Sequence, residues 1–298
     1  MLLAYQADWG VMKDRLPELD AVRVQRWLNL VESRTGIVIP SERKAFLEAG
    51  LRTRMQQLGI ADYDLYFRLV SAARSGSEEW SHLIDRLTVH ETSFFRHAPS
   101  LQLIENEILP GYSARKGDRG GFHAWSLGCA TGEEPYSLAM LIHQHFAGVD
   151  AVQRFGITAT DISRPALQAA RMGVYSERRL RDVPAALRER FCVQLGDGRI
   201  QMSNELRRRI CFAQLDVLRM GRFPLRDVDL IYCQNMLMYF PRVRRLQIVE
   251  MLAGRVAPGG VLVLGPGDLP CWAHEDFTRM RYEGTLAFQR HGADTASV

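Results

Sequence analysis

The residues best suited to chemistry lie in one short stretch, WSLGCATGEEPYS (125–137). An apolar run enters two glycines, Gly128 and Gly132, and a helical pattern begins at the acidic pair Glu133 and Glu134. At the end of a strand in a parallel sheet, such a turn brings backbone amides up against a ligand. Charge decides which ligand. Gly128-x-x-x-Gly132 is not the GxGxxG dinucleotide fingerprint, no Lys-Ser/Thr follows as in a P-loop, and two carboxylates would repel a pyrophosphate. Twenty-seven residues after Glu134, at the end of the next apolar run, Asp161 in ATDI (159–162) is placed to accept both hydroxyls of a ribose. A positively charged nucleoside without phosphates, S-adenosylmethionine, meets both demands. Taken singly, each acid could be no more than a helix cap; together, at this spacing, they point to a cofactor site.

Other chemistries find less support. The cysteines, Cys129, Cys192, Cys211, Cys233 and Cys271, form no CxxC pair and no Cys/His cluster at zinc spacing, which predicts no metal and free, mostly buried thiols. The net charge of +4 is too mild to predict nucleic-acid binding. Its distribution is uneven, with ten arginines against five acids between Arg171 and Arg209, and this favours an acidic partner. No apolar run approaches the roughly 20 residues that cross a bilayer. The opening MLLAYQADWGVMKDR breaks after four residues with no small-residue cleavage site, so no membrane insertion and a cytoplasmic location are expected.

The elements that must position these residues follow from hydrophobic periodicity. From about Val11 to Ala73 apolar residues recur at three and four, as in Val24, Trp27, Leu28, Val31 and in Phe46, Leu47, Leu51, Met55, Leu58. Breaks at Gly36, Ser41 and Gly59, with Asp62 as an N-cap, divide this region into helices. Another helix is predicted over 78–87. The segment 88–97, TVHETSFFRH, fits neither period. The predicted organisation is an all-helical N-terminal domain (1–85), a linker (86–98) contributing to the cofactor site, and an α/β domain (99–298).

The α/β domain opens with a helix to Leu109. Strands are predicted at 122–127, 155–160, 210–214, 228–233 and 261–264, and helices at 133–146, 165–172 and 242–256. Such alternation makes a Rossmann-like, mainly parallel sheet covered on both faces. The stretch from about 175 to 210 breaks the rhythm. It is too long for a βα loop and holds Gly-Asp-Gly (196–198) between alternating runs, which predicts a small inserted antiparallel β subdomain.

Four stretches, HETSFFR (90–96), the 125–137 loop, ATDI (159–162) and IYCQNMLMYF (231–240), make the chain resemble the CheR family of chemotaxis-receptor glutamate methyltransferases along essentially its whole length. That family combines a helical N-terminal domain with an S-adenosylmethionine-binding domain carrying a small β insert. The resemblance implies cofactor contacts from His90, Thr92, Arg96, Gly128, Glu134, Asp161, Asp216, Val217, Gln234 and Asn235, with Arg96 and Tyr239 nearest the transferred methyl. It implies S-adenosylhomocysteine as product and a chemoreceptor's cytoplasmic helical bundle as partner. Relatives usually carry asparagine in place of His90, arginine in place of Gln234, and Gly-His-Ser-Glu where this chain has Gly265-Pro266-Gly267-Asp268.

A glutamate carboxylate is ionised at neutral pH and already nucleophilic, so the implied reaction needs no catalytic base, and no Ser/His/Asp array is visible. Candidates for gripping an acidic receptor are Arg43, Lys44, Arg52 and Arg54 in the helical domain and Arg178 and Arg179 in the insert, with a solvated charged face as the plain alternative. In some family members the insert's hairpin edge also accepts a receptor tail by strand addition. Competing functions are a methyltransferase on another substrate and a cofactor-binding adaptor. Against the first, an Asp/Asn-Pro-Pro-Tyr motif is absent at 231–240.

Overall fold

The computed structural model describes residues 19–72, 78–116, 121–147 and 155–292. The predicted helical start at Val11, the opening MLLAYQ and Ala73 lie outside them. The chain divides into two compact units, with the break between Val89 and His90, inside the stretch read as a linker.

The first unit is helical: α1 (Ala21–Thr35), α2 (Lys44–Leu58), α3 (Tyr63–Ala72) and α4 (Glu78–Leu87). Asp20 caps α1 by accepting from the Arg23 amide at 2.7 Å, and α1 and α2 end at Gly36 and Gly59. Asp62 caps α3 through the amides of Asp64 and Leu65. The apolar faces meet in a core of Trp27, Leu47, Leu51, Met55, Tyr66 and Leu83, all nearly inaccessible. Trp27 meets Phe67 edge-on at 5.0 Å, and the Arg26 guanidinium lies over the same Phe67 ring, 4.3 Å from its centroid.

The second unit opens with α5 (Ala98–Leu103), a π-helical turn (Ile104–Ile108) and α6 (Leu109–Lys116). The helix predicted to stop at Leu109 therefore runs on through a widened turn. A seven-stranded sheet follows, built from β1 (Phe122–Leu127), β2 (Phe155–Asp161), β6 (Ile210–Gln214), β7 (Val228–Cys233), β8 (Val256–Leu264), β9 (Phe277–Met280) and β10 (Leu286–Arg290), in the order β6-β2-β1-β7-β8-β10-β9. The first five neighbours are parallel, and β10 runs antiparallel to both β8 and β9. Helices α7 (Glu133–Phe146), α8 (Arg164–Met172) and α11 (Arg242–Ala253) supply the crossovers. Burial of all but one residue of a central strand such as β7 explains its near-continuous apolar run.

Two features depart from the sequence reading. β9 and β10 were not predicted, and β8 starts at Val256 rather than 261 because Pro258 and Gly259-Gly260 interrupt its pattern while the strand bulges past them. The inserted segment forms its own three-stranded antiparallel sheet, β3 (Val174–Ser176), β4 (Cys192–Gly196) and β5 (Arg199–Met202), in the order β3-β5-β4. It carries the short helices α9 (Ala185–Phe191) and α10 (Asn204–Arg207).

The thiols also differ from expectation. All five are free, but only Cys129 and Cys233 are buried; Cys192 is half-buried and Cys211 and Cys271 are exposed. Cys211 sits on β6, an edge strand of the sheet among the described residues, and Cys271 follows β8 in a turn.

Candidate active site

The C-terminal ends of β1, β2, β7 and β8 lie side by side, and β1 is the point where chain order reverses, with β2 on one flank and β7 on the other. Ligands of open α/β sheets bind at that switch point. The loop after β1 is shaped by backbone hydrogen bonds, with the Gly128 and Cys129 amides donating to the Thr160 carbonyl at 2.8 and 3.0 Å. Gly128 has φ +79°, and a Cβ there would stand 3.1 Å from the Met236 side chain, so the segment after β7 closes directly over the loop. Gly132 is equally constrained: at φ +99°, a Cβ would fall 2.8 Å from Ala170 Cβ and 2.9 Å from the Tyr175 hydroxyl.

Two carboxylates face this loop. Asp161 ends β2 and accepts from the Ala130 amide through Oδ2 and the Ser163 amide through Oδ1, both at 2.9 Å. Enclosure raises its pKa, against those amides and the nearby His90, which lower it. Glu134 accepts from the Ser126 hydroxyl at 2.7 Å, and enclosure pushes its pKa up to about 8. The Ser126 bond and the Arg96 guanidinium counter that rise, while Asp161 adds to it. Both acids keep part of their surface accessible. A cation placed between them would favour their ionised forms.

Arg96 reaches this region on a segment pinned to α7: the Phe95 amide donates to Ser137 Oγ at 3.0 Å, and Phe95 takes φ +53°. Phe94 is fully buried, edge-on to Tyr175 at 5.0 Å, which makes it a core residue of this unit. The exposed Arg96 guanidinium donates to the Glu91 carbonyl. Thr92 is half-buried on the same segment. Asp216 caps the turn that begins at Val217, accepting from the Leu218 amide at 3.0 Å, and Val217 is buried. Beyond β7, Asn235 is exposed with φ +56°, and Tyr239 is half-buried in the turn before α11.

Gln234 follows the last residue of β7. Its side chain is buried, and Nε2 donates to the Leu264 carbonyl at 2.9 Å and to Ser100 Oγ at 3.3 Å. Nε2 thus braces β7 against β8 and α5, while the buried Oε1 has no hydrogen-bond partner among the described residues. In the loop after β8, Asp268 accepts from the Gly265 amide at 3.0 Å, and burial pushes its carboxyl up to about 6.

The basic candidates differ in their surroundings. Arg54 is a structural partner of Glu79 within the helical unit, and Tyr66 donates to the same carboxylate at 2.6 Å. Lys44 lies 3.4 Å from Glu48, Arg52 is half-buried beside Tyr63, and Arg43 is exposed. Arg178 is exposed, but Arg179 bonds to Glu133, whose side chain is fully buried and also accepts from Thr131 at 2.7 Å. Tyr175 adds a 2.7 Å bond to the Thr131 carbonyl. The sequence reading missed Ser126 and Tyr175 as builders of the site; a serine within the otherwise apolar end of β1 is the signal that could have found the first.

A mainly parallel sheet with a glycine loop after β1, an acid in the first turn of α7 and another at the tip of β2 is the arrangement of an S-adenosylmethionine-dependent methyltransferase domain. Residues 90–282 match the model for the CheR methyltransferase S-adenosylmethionine-binding domain, and residues 24–88 match its all-alpha domain. The chain belongs to the CheR methyltransferase family. It is 30% identical over 281 residues to a chemotaxis protein methyltransferase of Escherichia coli K12, covering 93% of this chain and 92% of that one. It is 30% identical to chemotaxis protein methyltransferase 2 of Vibrio cholerae (80% and 83% covered) and 27% identical to the Borreliella burgdorferi enzyme (81% and 86%). Among the described residues no helix is long and apolar enough to cross a membrane, and no group of three His, Cys, Asp or Glu could hold a metal.

Proposed function

We propose that this protein transfers the methyl group of S-adenosylmethionine to glutamate side chains of chemoreceptors, leaving glutamyl methyl esters and S-adenosylhomocysteine. The observation that carries the reading is the pair Glu134, in the first turn of α7, and Asp161, at the tip of β2, both with pKa values raised by enclosure and both flanking the glycine loop near Arg96. Their chemistry fits the cofactor: Asp161 keeps acceptor capacity for ribose hydroxyls, and Glu134 suits a cationic amino-acid portion. When bound, S-adenosylmethionine supplies a methyl group on a positively charged sulfur.

The remaining work is positioning. Attack of the substrate carboxylate forms a C–O bond and breaks the C–S bond, so opposite charges cancel as the step proceeds. Excluding water from the site and holding the two groups in line therefore speeds transfer. Arg96 orients a carboxylate at the site, and Tyr239 borders the methyl channel. The Arg96 pairing must stay loose, because a tight one would stabilise the ground state.

The partner we infer is the acidic cytoplasmic helical bundle of a receptor, met in the cytoplasm, with Arg43, Lys44, Arg52 and Arg178 as the basic residues that steer it. The outer side of β4, with Val193 and Leu195 52% and 45% exposed, offers an edge for a receptor tail. Incubation with tritiated S-adenosylmethionine and a receptor cytoplasmic fragment should give alkali-labile label on glutamates. Label that resists alkali, or none on any receptor tried, removes the proposal.

A further inference from the structure

The start of α11 and the turn before it carry exposed apolar side chains. Met238, Val243 and Leu246 are 54%, 69% and 38% exposed, whereas Ile248, Val249, Leu252 and Ala253 turn inward onto the sheet. Isolated exposed apolar residues are ordinary on a protein surface. Here three fall within nine residues, with Val243 and Leu246 at a helical spacing of three that puts them on one face. Arg242 and Arg244 flank them, both exposed, and no acidic residue occurs between Gln234 and Glu250. Arg244 donates to Gln247 Oε1 at 2.9 Å.

The patch is held in place. Arg245 folds the other way, donating to the Phe240 carbonyl at 2.7 Å and reaching the Met238 and Asp268 carbonyls at 3.3 and 3.4 Å, which locks the 238–240 turn onto the head of α11. The same segment packs on the cofactor loop through Met236 against Gly128. The segment that packs on the loop at Met236 thus runs on, through the half-buried Tyr239, into the turn of α11 that bears Val243 and Leu246.

We infer that this face of α11 is a docking surface for an amphipathic, glutamate-rich helix of the protein substrate, which lies along it so that one glutamate reaches Tyr239. The inference rests on the methyl-transfer reading above and adds the surface that presents the substrate. Charge complementarity selects the occupant: apolar residues three and four apart on the incoming helix cover Met238, Val243 and Leu246, while its carboxylates meet Arg242 and Arg244.

The test compares wild-type protein with V243E/L246E and R242E/R244E on a dimeric coiled-coil receptor fragment that bears the methyl-accepting glutamates. The expected result is a rise of at least tenfold in KM for the fragment in both variants, with S-adenosylhomocysteine affinity by calorimetry within twofold of wild type. The milder V243A/L246A, which leaves only shorter apolar side chains on an exposed face, should raise KM about threefold and guards against any folding loss in the charged variants. Unchanged KM in the variants, with an active wild type, overturns the docking surface and leaves the methyl-transfer reading standing. An inactive wild type on every receptor fragment sinks that reading and the surface with it. A wild-type dimer that V243E/L246E dissolves, with methyl transfer unaltered, assigns the face to a second copy of this chain and likewise overturns the inference.

Discussion

Arg179 of the inserted subdomain bonds to Glu133, a side chain with no solvent-accessible surface at the first turn of α7. With Tyr175 holding the Thr131 carbonyl, the insert grips the cofactor loop from outside at two points. Arg179→Ala leaves a buried carboxylate without its counter-charge, a loss on the order of 2 kcal/mol once the half-exposed position of the arginine is discounted. Thermal unfolding should show a lower midpoint and calorimetry weaker S-adenosylhomocysteine binding. Adding Glu133→Gln to that variant should restore part of both, because the uncompensated charge is gone.

Glu134 makes cofactor binding sensitive to pH. In the free protein its carboxyl is pushed up to about 8 by enclosure, and a cationic ligand favours the ionised form. Affinity for S-adenosylmethionine should therefore climb as pH rises towards 8, by at most about tenfold per unit from this group, and level off above. The ligand-free protein should move oppositely. A carboxyl whose folded pKa lies above its unfolded value stabilises most below the unfolded pKa, and that contribution is lost as pH rises through the folded one. Glu134→Gln should flatten both profiles in titration calorimetry and in melting curves collected from pH 5 to 9.

Asp161 and Arg96 should fail differently. Asp161→Ala strips the Ala130 and Ser163 amides of their acceptor and removes the ribose site, so cofactor affinity should fall more than tenfold, with about 1–3 kcal/mol of stability lost. Arg96→Ala touches an exposed residue and should lower kcat while changing cofactor affinity by less than threefold. Single-turnover kinetics beside equilibrium binding separates the two; equal, wild-type behaviour in both would count against the assignment.

Gly132→Ala probes the loop itself. Its φ of +99° and the 2.8 Å approach to Ala170 leave no room for a methyl group. A cost of roughly 1–3 kcal/mol in urea unfolding is expected from the backbone alone, and more if α8 must shift.

Much of this architecture was legible in the chain. β6 and β7 lie where compact apolar runs end at turns, and the helix after the glycine loop runs over the predicted 133–146. The insert announced itself through Gly-Asp-Gly, which forms the β4–β5 turn. β9 was not readable because FTRM is half-exposed and too short for alternation to register, and β10 has no independent punctuation beyond a single glycine before it. The site's acids were legible by type and spacing. Their partners were not: Arg179 stands 46 residues from Glu133, and Arg54 25 from Glu79, so each reads as one more surface charge until the chain is folded. Gln234 shows the same limit, since an amide serves a ligand or a neighbouring carbonyl equally well, and only packing decides.

The position of β10 sets a condition on biosynthesis. It is the latest of the described strands in chain order yet sits between β8 and β9, so β8 keeps an open edge until residues up to Arg290 have left the ribosome. The nascent chain must carry the glycine loop and both acids, already translated, on a platform not yet closed. A stop codon ahead of Leu286 would strand that platform with two unpaired borders, a form for chaperones to hold or proteases to clear.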